Sequence, residues 1–262
     1  MKLLRGLTIL CVFCGFFAVL IGPWFSSHDP AVLHLDRILL PPNGIFLLGT
    51  DANGRDILAQ ILYGARLSLF LGIIVVLNSI VIGLTLGFLA GYFGGKIDRL
   101  FILVTDVFQA FPGILLAIAI AAFLAPGIKN LVILLSFVGW VGYARVVRSQ
   151  VFEMKTREFI LAGQALGLKL PRLFLRHFLP NMAGPLIVQA SFGMAGIILA
   201  ESTLSFLGLG LPENVPSLGK LMDSGAGLLL VAPHVAFFPG LVIMFFVLSF
   251  NTIGDFFRER LI

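Results

Sequence analysis

The chain has 262 residues, of which 59% are hydrophobic and only 12% charged, with a formal net charge of +5. A mean hydropathy of +1.06 excludes an ordinary soluble domain, in which about a quarter of the residues are charged. The positive surplus does not describe a nucleic-acid binder either, because the basic residues gather in particular connecting segments.

The length leaves room for several membrane crossings of about 20 residues each. Leu3 to Phe25 is the first apolar run, with Lys2 and Arg5 at its start. It is long for a secretory leader and no A-x-A-like site follows, so it is read as a retained span with its amino end in the cytoplasm. Cys11 and Cys14 lie inside this run without a Cys or His partner nearby. They are read as apolar thiols of a helix and not as a metal or redox pair.

Residues 26–64 form an external loop interrupted by Pro30, Pro41, Pro42 and Gly44. From Asp56 onward Ile57, Leu58, Ile61, Leu62 and Ala65 recur at helical spacing, which predicts a short helix at the membrane interface. Asp51, Arg55 and Asp56 are read as a charge-paired turn pinning the loop to that helix, in preference to a substrate-contacting role, because mixed-charge turns are usually structural. Leu67 to Phe93 is the second span, long enough to be tilted or to extend past the hydrocarbon. Gly72, Ser79, Gly83, Gly87 and Gly91 share one of its faces, a smooth groove for a neighbouring helix.

An inside turn at Gly94 to Arg99 leads to span three, Leu100 to Leu124, kinked at Pro112-Gly113. Asp106 and Gln109 precede the kink; a carboxylate in a span is a functional candidate by default, and an inter-helix hydrogen bond is the competing reading. Residues 125–130 turn outside, and Leu131 to Ala144 is span four.

Arg145 to Asn181 is the longest polar-rich segment, carrying Arg145, Arg148, Lys155, Arg157, Lys169, Arg172 and Arg176. Thr156 to Gly167 is predicted as a short helix, capped by Thr156, with Glu158 in its first turn and Gly167 as its stop. Pro171 is placed to open a second short helix. Small residues at Ala162, Gly163, Ala165 and Gly167 leave space for the backbone of another protein.

Span five is expected from about Ala183 to Leu204. Gln189, Gly193, Gly196, Ala200 and Thr203 fall at steps of four and three, with Glu201 next to them. In lipid such a stripe faces protein or water; pathway wall and close helix packing both remain open for it. Leu211 to Pro233 is an external loop whose Leu228–Val231 patch dips into the interface, and Ala236 to Phe250 is span six.

These readings give an all-α membrane protein of about six transmembrane helices with both termini cytoplasmic. That orientation puts Lys2, Arg5, Lys96, Arg99, the basic residues of 145–181, Arg258 and Arg260 inside, and only Arg37, Arg55, Arg66, Lys129 and Lys220 outside, as the positive-inside rule requires. Residues 1–66 are expected to form a first helix, external loop and interfacial helix; residues 67–262 form a transmembrane core containing the 145–181 loop.

A resemblance becomes specific in that loop. Import permeases of the ATP-binding cassette (ABC) class carry E-A-A, three residues, G, nine residues, then I-x-L-P. Leu161-Ala162-Gly163, Gly167, His177 and Leu179-Pro180 fall at those spacings, departing at Leu161 for Glu, Gly163 for the second Ala and His177 for Ile. Glu158-Phe159-Ile160, Ala162, Ala165-Leu166-Gly167 and Arg176-His177-Phe178-Leu179-Pro180-Asn181 resemble more closely the version in the dipeptide, oligopeptide and nickel permease family. The stretch Gly49-Thr50-Asp51, Gly54-Arg55-Asp56 is similar to a hallmark of the same family, in the subunit with a short amino-terminal extension. Glu201 to Gly210 and Asn251, Gly254, Asp255 and Arg258 are also family-like.

The resemblance implies a permease subunit of the bacterial or archaeal inner membrane. It further implies a heterodimer with a second permease subunit, two ATPase subunits holding ATP and Mg, and an external solute-binding protein. Arg157, Glu158, Ala162, Gly163, Ala165, Leu166 and Gly167 would dock the ATPase, and Gln189, Gly193, Gly196 and Glu201 are candidates for the pathway wall. No catalytic residue, resident cofactor or metal ligand is expected in this chain. It has no G-x-x-x-x-G-K-[ST], since neither Gly95-Lys96 nor Gly219-Lys220 has the flanking residues, and His28, His34, His177 and His234 are scattered. Peptide is favoured over a nickel or other metal chelate as solute, because no span carries ligands at metal spacing. The alternative from another class is a stand-alone ion-coupled transporter, for which only Asp106 and Glu201 offer buried charge.

Overall fold

In a computed structural model the described residues are 2–25, 28–30 and 32–261. Ser26, Ser27 and Ala31 of the external loop, and the Met1 and Ile262 ends, lie outside them. The side chains of Lys2, Arg5 and Cys11 are likewise not described. Among the described residues there is no strand, only an isolated bridge between Thr50 and Asp56.

Helix α1 runs Lys2–Phe25, α2 Ile57–Phe93, α3 Gly95–Gln109, α4 Gly113–Ala121 and α5 Ile128–Met154. Then come α6 Glu158–Ala165, α7 Leu170–Leu173, a π-turn Phe174–Phe178, α8 Leu179–Phe206, α9 Leu218–Ala226 and α10 His234–Leu261. Among the described residues four helices are long and apolar enough to cross a membrane: α2, α5, the unbroken Leu170–Phe206 helix and α10. Helices α3 and α4 pass the same test together as one span bent by 78°. In α1 the described apolar stretch is Cys14–Trp24.

The framework is α2 against α5. Without side chains, Gly83, Gly87 and Gly91 let α2 lie directly on the backbone of α5. A β-carbon on Gly83 would stand 2.6 Å from Cβ of Tyr143, and one on Gly91 2.7 Å from the carbonyl of Arg148. Gly72, higher on the same face, meets Met194 of α8. Close approach of this kind supplies the van der Waals contact that holds helices together where lipid offers no hydrophobic difference. The predicted groove is there.

Several boundaries move. The expected interfacial helix is the first turns of α2, capped by Asp56, which accepts from the N–H of Leu58 at 2.9 Å. The expected division at residues 66 and 67 therefore falls inside one 37-residue helix. Span four extends ten residues beyond Ala144, so Arg145 and Arg148 belong to α5 and not to a loop. Arg148 makes a two-pronged pair with Asp98 of α3, through Nε and, at 2.7 Å, through its Nη2. Arg145 bonds Asp106 at 2.5 Å and Thr105 at 3.3 Å. Asp106 is thus a partner in a helix-to-helix ion pair.

The second short helix predicted at Pro171 is instead the start of the long helix leading into α8. Pro171 does sit in its first turn. Pro180 has no N–H to return to the preceding turn, and just before it the ladder widens to π, with the N–H of Leu179 reaching the carbonyl of Phe174. Asn181 then donates its side-chain amide to the carbonyl of His177 at 2.6 Å. The external segment read as loop contains α9, which is wedged between neighbours. Gly219 is packed under the Ser202 carbonyl, and a β-carbon on Gly225 would meet the backbone of Ala236 at 2.6 Å.

Candidate functional site

Helix α6 hangs between the end of α5 and the start of α7, and its two faces differ. Ile160 and Gly163 are buried; a β-carbon on Gly163 would touch Leu173 at 3.0 Å and Leu168 at 3.3 Å. Arg157, Glu158, Ala162, Ala165, Leu166 and Gly167 are exposed, as are Phe159 and Leu161. The small residues expected to face a partner therefore divide: Gly163 turns inward to seat the helix, and Ala162, Ala165 and Gly167 face out. Leu166, at 83% exposure, is the most prominent apolar side chain of the element.

The two ends of α6 are built differently from each other. Its carboxyl end is a Schellman turn: Gly167 at φ +73° lets its N–H reach Gln164 and the N–H of Leu168 reach Gly163. The predicted stop stands. Its amino end is not capped by Thr156. That hydroxyl donates back to the Glu153 carbonyl at 3.2 Å and closes α5, leaving Arg157 at the cap position with no side-chain bond. Arg157 pairs with Glu153 one turn back. Two further bonds tie this end of the molecule to α2: Lys155 to the Gly91 carbonyl at 3.1 Å, and Gln164 to the Tyr92 hydroxyl at 3.4 Å.

The small and polar stripe of α8 opens on a cleft of about 520 Å³ between α4, α5 and α8. Gln189, Gly193 and Gly196 line it, together with Gly139 and Tyr143 of α5 and Gly113 at the start of α4. Gln189 lies over Gly142, where a β-carbon would come within 2.9 Å of its amide nitrogen. Tyr143 was not singled out from the sequence. Its hydroxyl is buried without a hydrogen-bond partner, and its one visible signal was a phenol among apolar residues in mid-span.

Glu201 does not line that cleft. It is 1% exposed and points toward α2 and α9. Its Oε2 accepts from Ser68 at 2.7 Å and Ser202 at 3.5 Å, and its Oε1 from Ser205 at 3.0 Å and Ser217 at 3.3 Å. One residue along an α-helix is a rotation of about 100°, which is enough to take Glu201 off the stripe and into a knot of hydroxyls joining three elements.

The outer turn also differs from the charge-paired arrangement expected. Asp51 accepts from the backbone of Asn53 and Arg55 and from the Gln60 side chain at 2.9 Å, and Asp56 bonds His28 at 2.9 Å. Carboxylates hold this turn by capping amides. Arg55 is left out of it, with its Nε buried and unbonded.

Residues 83–262 match the family described as binding-protein-dependent transport system inner membrane component. The chain is 41% identical over 256 residues to the dipeptide transport system permease protein DppC of Alkalihalophilus pseudofirmus, covering 98% of this chain and 84% of that one. It is 38% identical over 259 residues to the di/tripeptide transport system permease protein DppC of Pseudomonas aeruginosa, covering 97% and 84%. It is 34% identical over 253 residues to the oligopeptide transport system permease protein OppC of Bacillus subtilis, covering 97% and 82%. Among solved structures, the MetNI methionine ABC transporter in an inward-facing form aligns with a TM-score of 0.64 at 18% identity, over 78% of this chain and 96% of that one.

Proposed function

The chain belongs to the binding-protein-dependent transport system inner membrane components, as a multi-pass permease of the ABC importer class, and we propose that it moves short peptides inward with power delivered through α6. The observation that carries the coupling role is the two-faced build of α6. Gly163 on its inner side packs against Leu173 of α7, Gln164 bonds Tyr92 of α2 and Arg157 at its start pairs with Glu153 of α5, while Phe159, Leu161 and Leu166 stand uncovered on its outer side.

Arg157, Glu158, Ala162, Ala165, Leu166 and Gly167 then form the surface taken by an ATPase subunit, with Gly163 seating the helix from behind. Two such subunits hold the ATP and Mg, and this chain contributes no hydrolytic group. A second permease subunit completes the membrane pathway, and a binding protein delivers solute to the outer loops, with both termini of this chain on the cytoplasmic side. The peptide as solute is supported by the relatives, which carry that substrate in their names.

Mechanically, closure of the ATPases pulls on α6, and α6 lies between α5 and the α7–α8 helix. Those same two helices wall the cleft at Tyr143, Gln189 and Gly193. Displacing α6 as a rigid unit therefore changes the angle between the walls, which is a rigid-body route to alternating access. Affinity purification of this chain from its native membrane tests the reading. A second permease and one or two phosphate-loop ATPases are expected to come with it. Recovery of the chain alone, with flux following an ion gradient instead of ATP, would sink it.

A further inference from the structure

A second cavity, of about 470 Å³, lies at the loop end of the molecule, between the Asp51–Gln60 turn, the end of α8 and α9. Its inner part carries two cations, Arg55 and Lys220, which lack ion-pair partners among the described residues. The neighbouring carboxylate that could have neutralised Arg55 is already engaged, since both oxygens of Asp51 take amide donors. Arg55 Nε is buried and bonded to nothing, and a desolvated guanidinium donor without an acceptor is costly. The Lys220 ammonium donates to the Pro212 carbonyl, a neutral acceptor.

Burial draws the pKa of Lys220 down, Glu213 works against that, and the positive charge of Arg55 lowers it further. An anion between the two cations would relieve both. At the rim the sign reverses, with Glu213 and Asp223 exposed on the cavity wall. Hydroxyls of Ser205 and Ser217, already turned to Glu201, close the floor.

We infer that this cavity binds a small zwitterion by its two ends, the carboxylate on Arg55 and Lys220 and the ammonium toward Glu213 and Asp223. Arginine suits the first task because its planar fork meets a carboxylate with two parallel bonds. The site is separate from the α4–α5–α8 cleft. It rests on the importer reading in one respect, that this face is the outer one, where an arriving solute is first met.

The test is saturation-transfer NMR on the full chain in detergent, with alanyl-alanine, its C-terminal amide and its N-acetyl form as probes. Alanyl-alanine is expected to bind, the amide to lose about tenfold in affinity, and Arg55→Gln to bring the free acid down to the level of the amide. Arg55→Lys should restore part of the loss, and Lys220→Gln, on a different element, should repeat it if Arg55→Gln fails to fold. Glu213→Gln, an exposed change, should weaken alanyl-alanine and leave the N-acetyl form unaffected. Equal binding of acid and amide, or binding indifferent to Arg55 and Lys220, would overturn the site. An N-acetyl form equally sensitive to Glu213→Gln would remove the ammonium half. A chain that binds no dipeptide yet brings ATPases with it would sink this site alone; one that binds dipeptide but purifies alone would sink the importer reading.

Discussion

The hydroxyl of Tyr143 on α5 fills the space that a β-carbon on Gly193 of α8 would need. Three residues along the same stripe, a β-carbon on Gly196 would meet nothing within 4 Å. The pair gives an internal control. Gly193→Ala must push α5 and α8 apart or bend the phenol aside, an overpacking cost of about 1–3 kcal/mol. Gly196→Ala should stay within about 0.5 kcal/mol of the parent. Thermal unfolding in detergent measures the first difference, and uptake in vesicles should fall for Gly193→Ala only. Equal tolerance of both would mean that the α5–α8 contact does not set the cleft.

The Glu201 knot makes a second prediction. Removing the carboxylate with Glu201→Ala strands the hydroxyls of Ser68, Ser205 and Ser217, whose partners are all at or below 3.3 Å. Each buried orphan costs about 1–3 kcal/mol, so the variant should lose several kcal/mol of stability. Ser217→Ala, which removes one bond, should lose about 1 kcal/mol. Glu201→Gln keeps the shape and two polar atoms, and is expected to retain most of the transport. If Glu201→Gln folded normally but transported nothing, the carboxylate would be part of the coupling chemistry instead of the scaffold.

How far the sequence could be read follows from how local each signal was. Gly83, Gly87 and Gly91 were legible because a four-residue step of glycine places all three on one face whatever lies opposite. Gly167 was legible because a left-handed turn asks for glycine within the helix itself. Arg145 and Arg148 read as loop residues since their charges are balanced by Asp106 and Asp98, about 40 and 50 positions earlier, and no local window contains the pair. Thr156 had two backbone targets, and the end of α5 won over the start of α6. Helix α9 is nine residues long, too short for a period to show. Glu201 lies a single step of helix rotation from the stripe, and the serines that hold its carboxylate, Ser68 and Ser217, are far from it in sequence.

Helices α3 and α5 offer a comparison between two ion pairs on one interface. The Asp98 and Arg148 side chains are 16% and 27% exposed, against 61% and 40% for Asp106 and Arg145. Solvent-exposed pairs contribute about 0–1 kcal/mol, whereas a shielded, two-pronged pair leaves a poorly hydrated cation behind when broken. Asp98→Asn is therefore expected to destabilise by about 1–3 kcal/mol, and Asp106→Asn by less than about 1 kcal/mol. Chemical denaturation of the two variants under one set of conditions checks the order. The reverse order would show that α3 is held at its kinked end and not at its start.

The coupling helix separates docking from folding, and the last prediction uses that. Leu166 touches little of its own chain, so Leu166→Asp should leave assembly in the membrane unchanged. Its effect should fall on the recovery of ATPase subunits and on uptake, since a carboxylate on an apolar contact must be desolvated to bind. Gly167→Ala and Gly167→Arg both place a β-carbon at φ +73°, which strains the Schellman turn by about 1 kcal/mol. Only the arginine also projects a long charged side chain into the docking side, where a β-carbon meets nothing within 4 Å of the chain itself. Gly167→Ala should therefore cost stability with modest loss of transport, and Gly167→Arg should leave the protein inserted but uncoupled. If Gly167→Arg retained both the ATPase subunits and normal uptake, the outer face of α6 would not be where the ATPase docks.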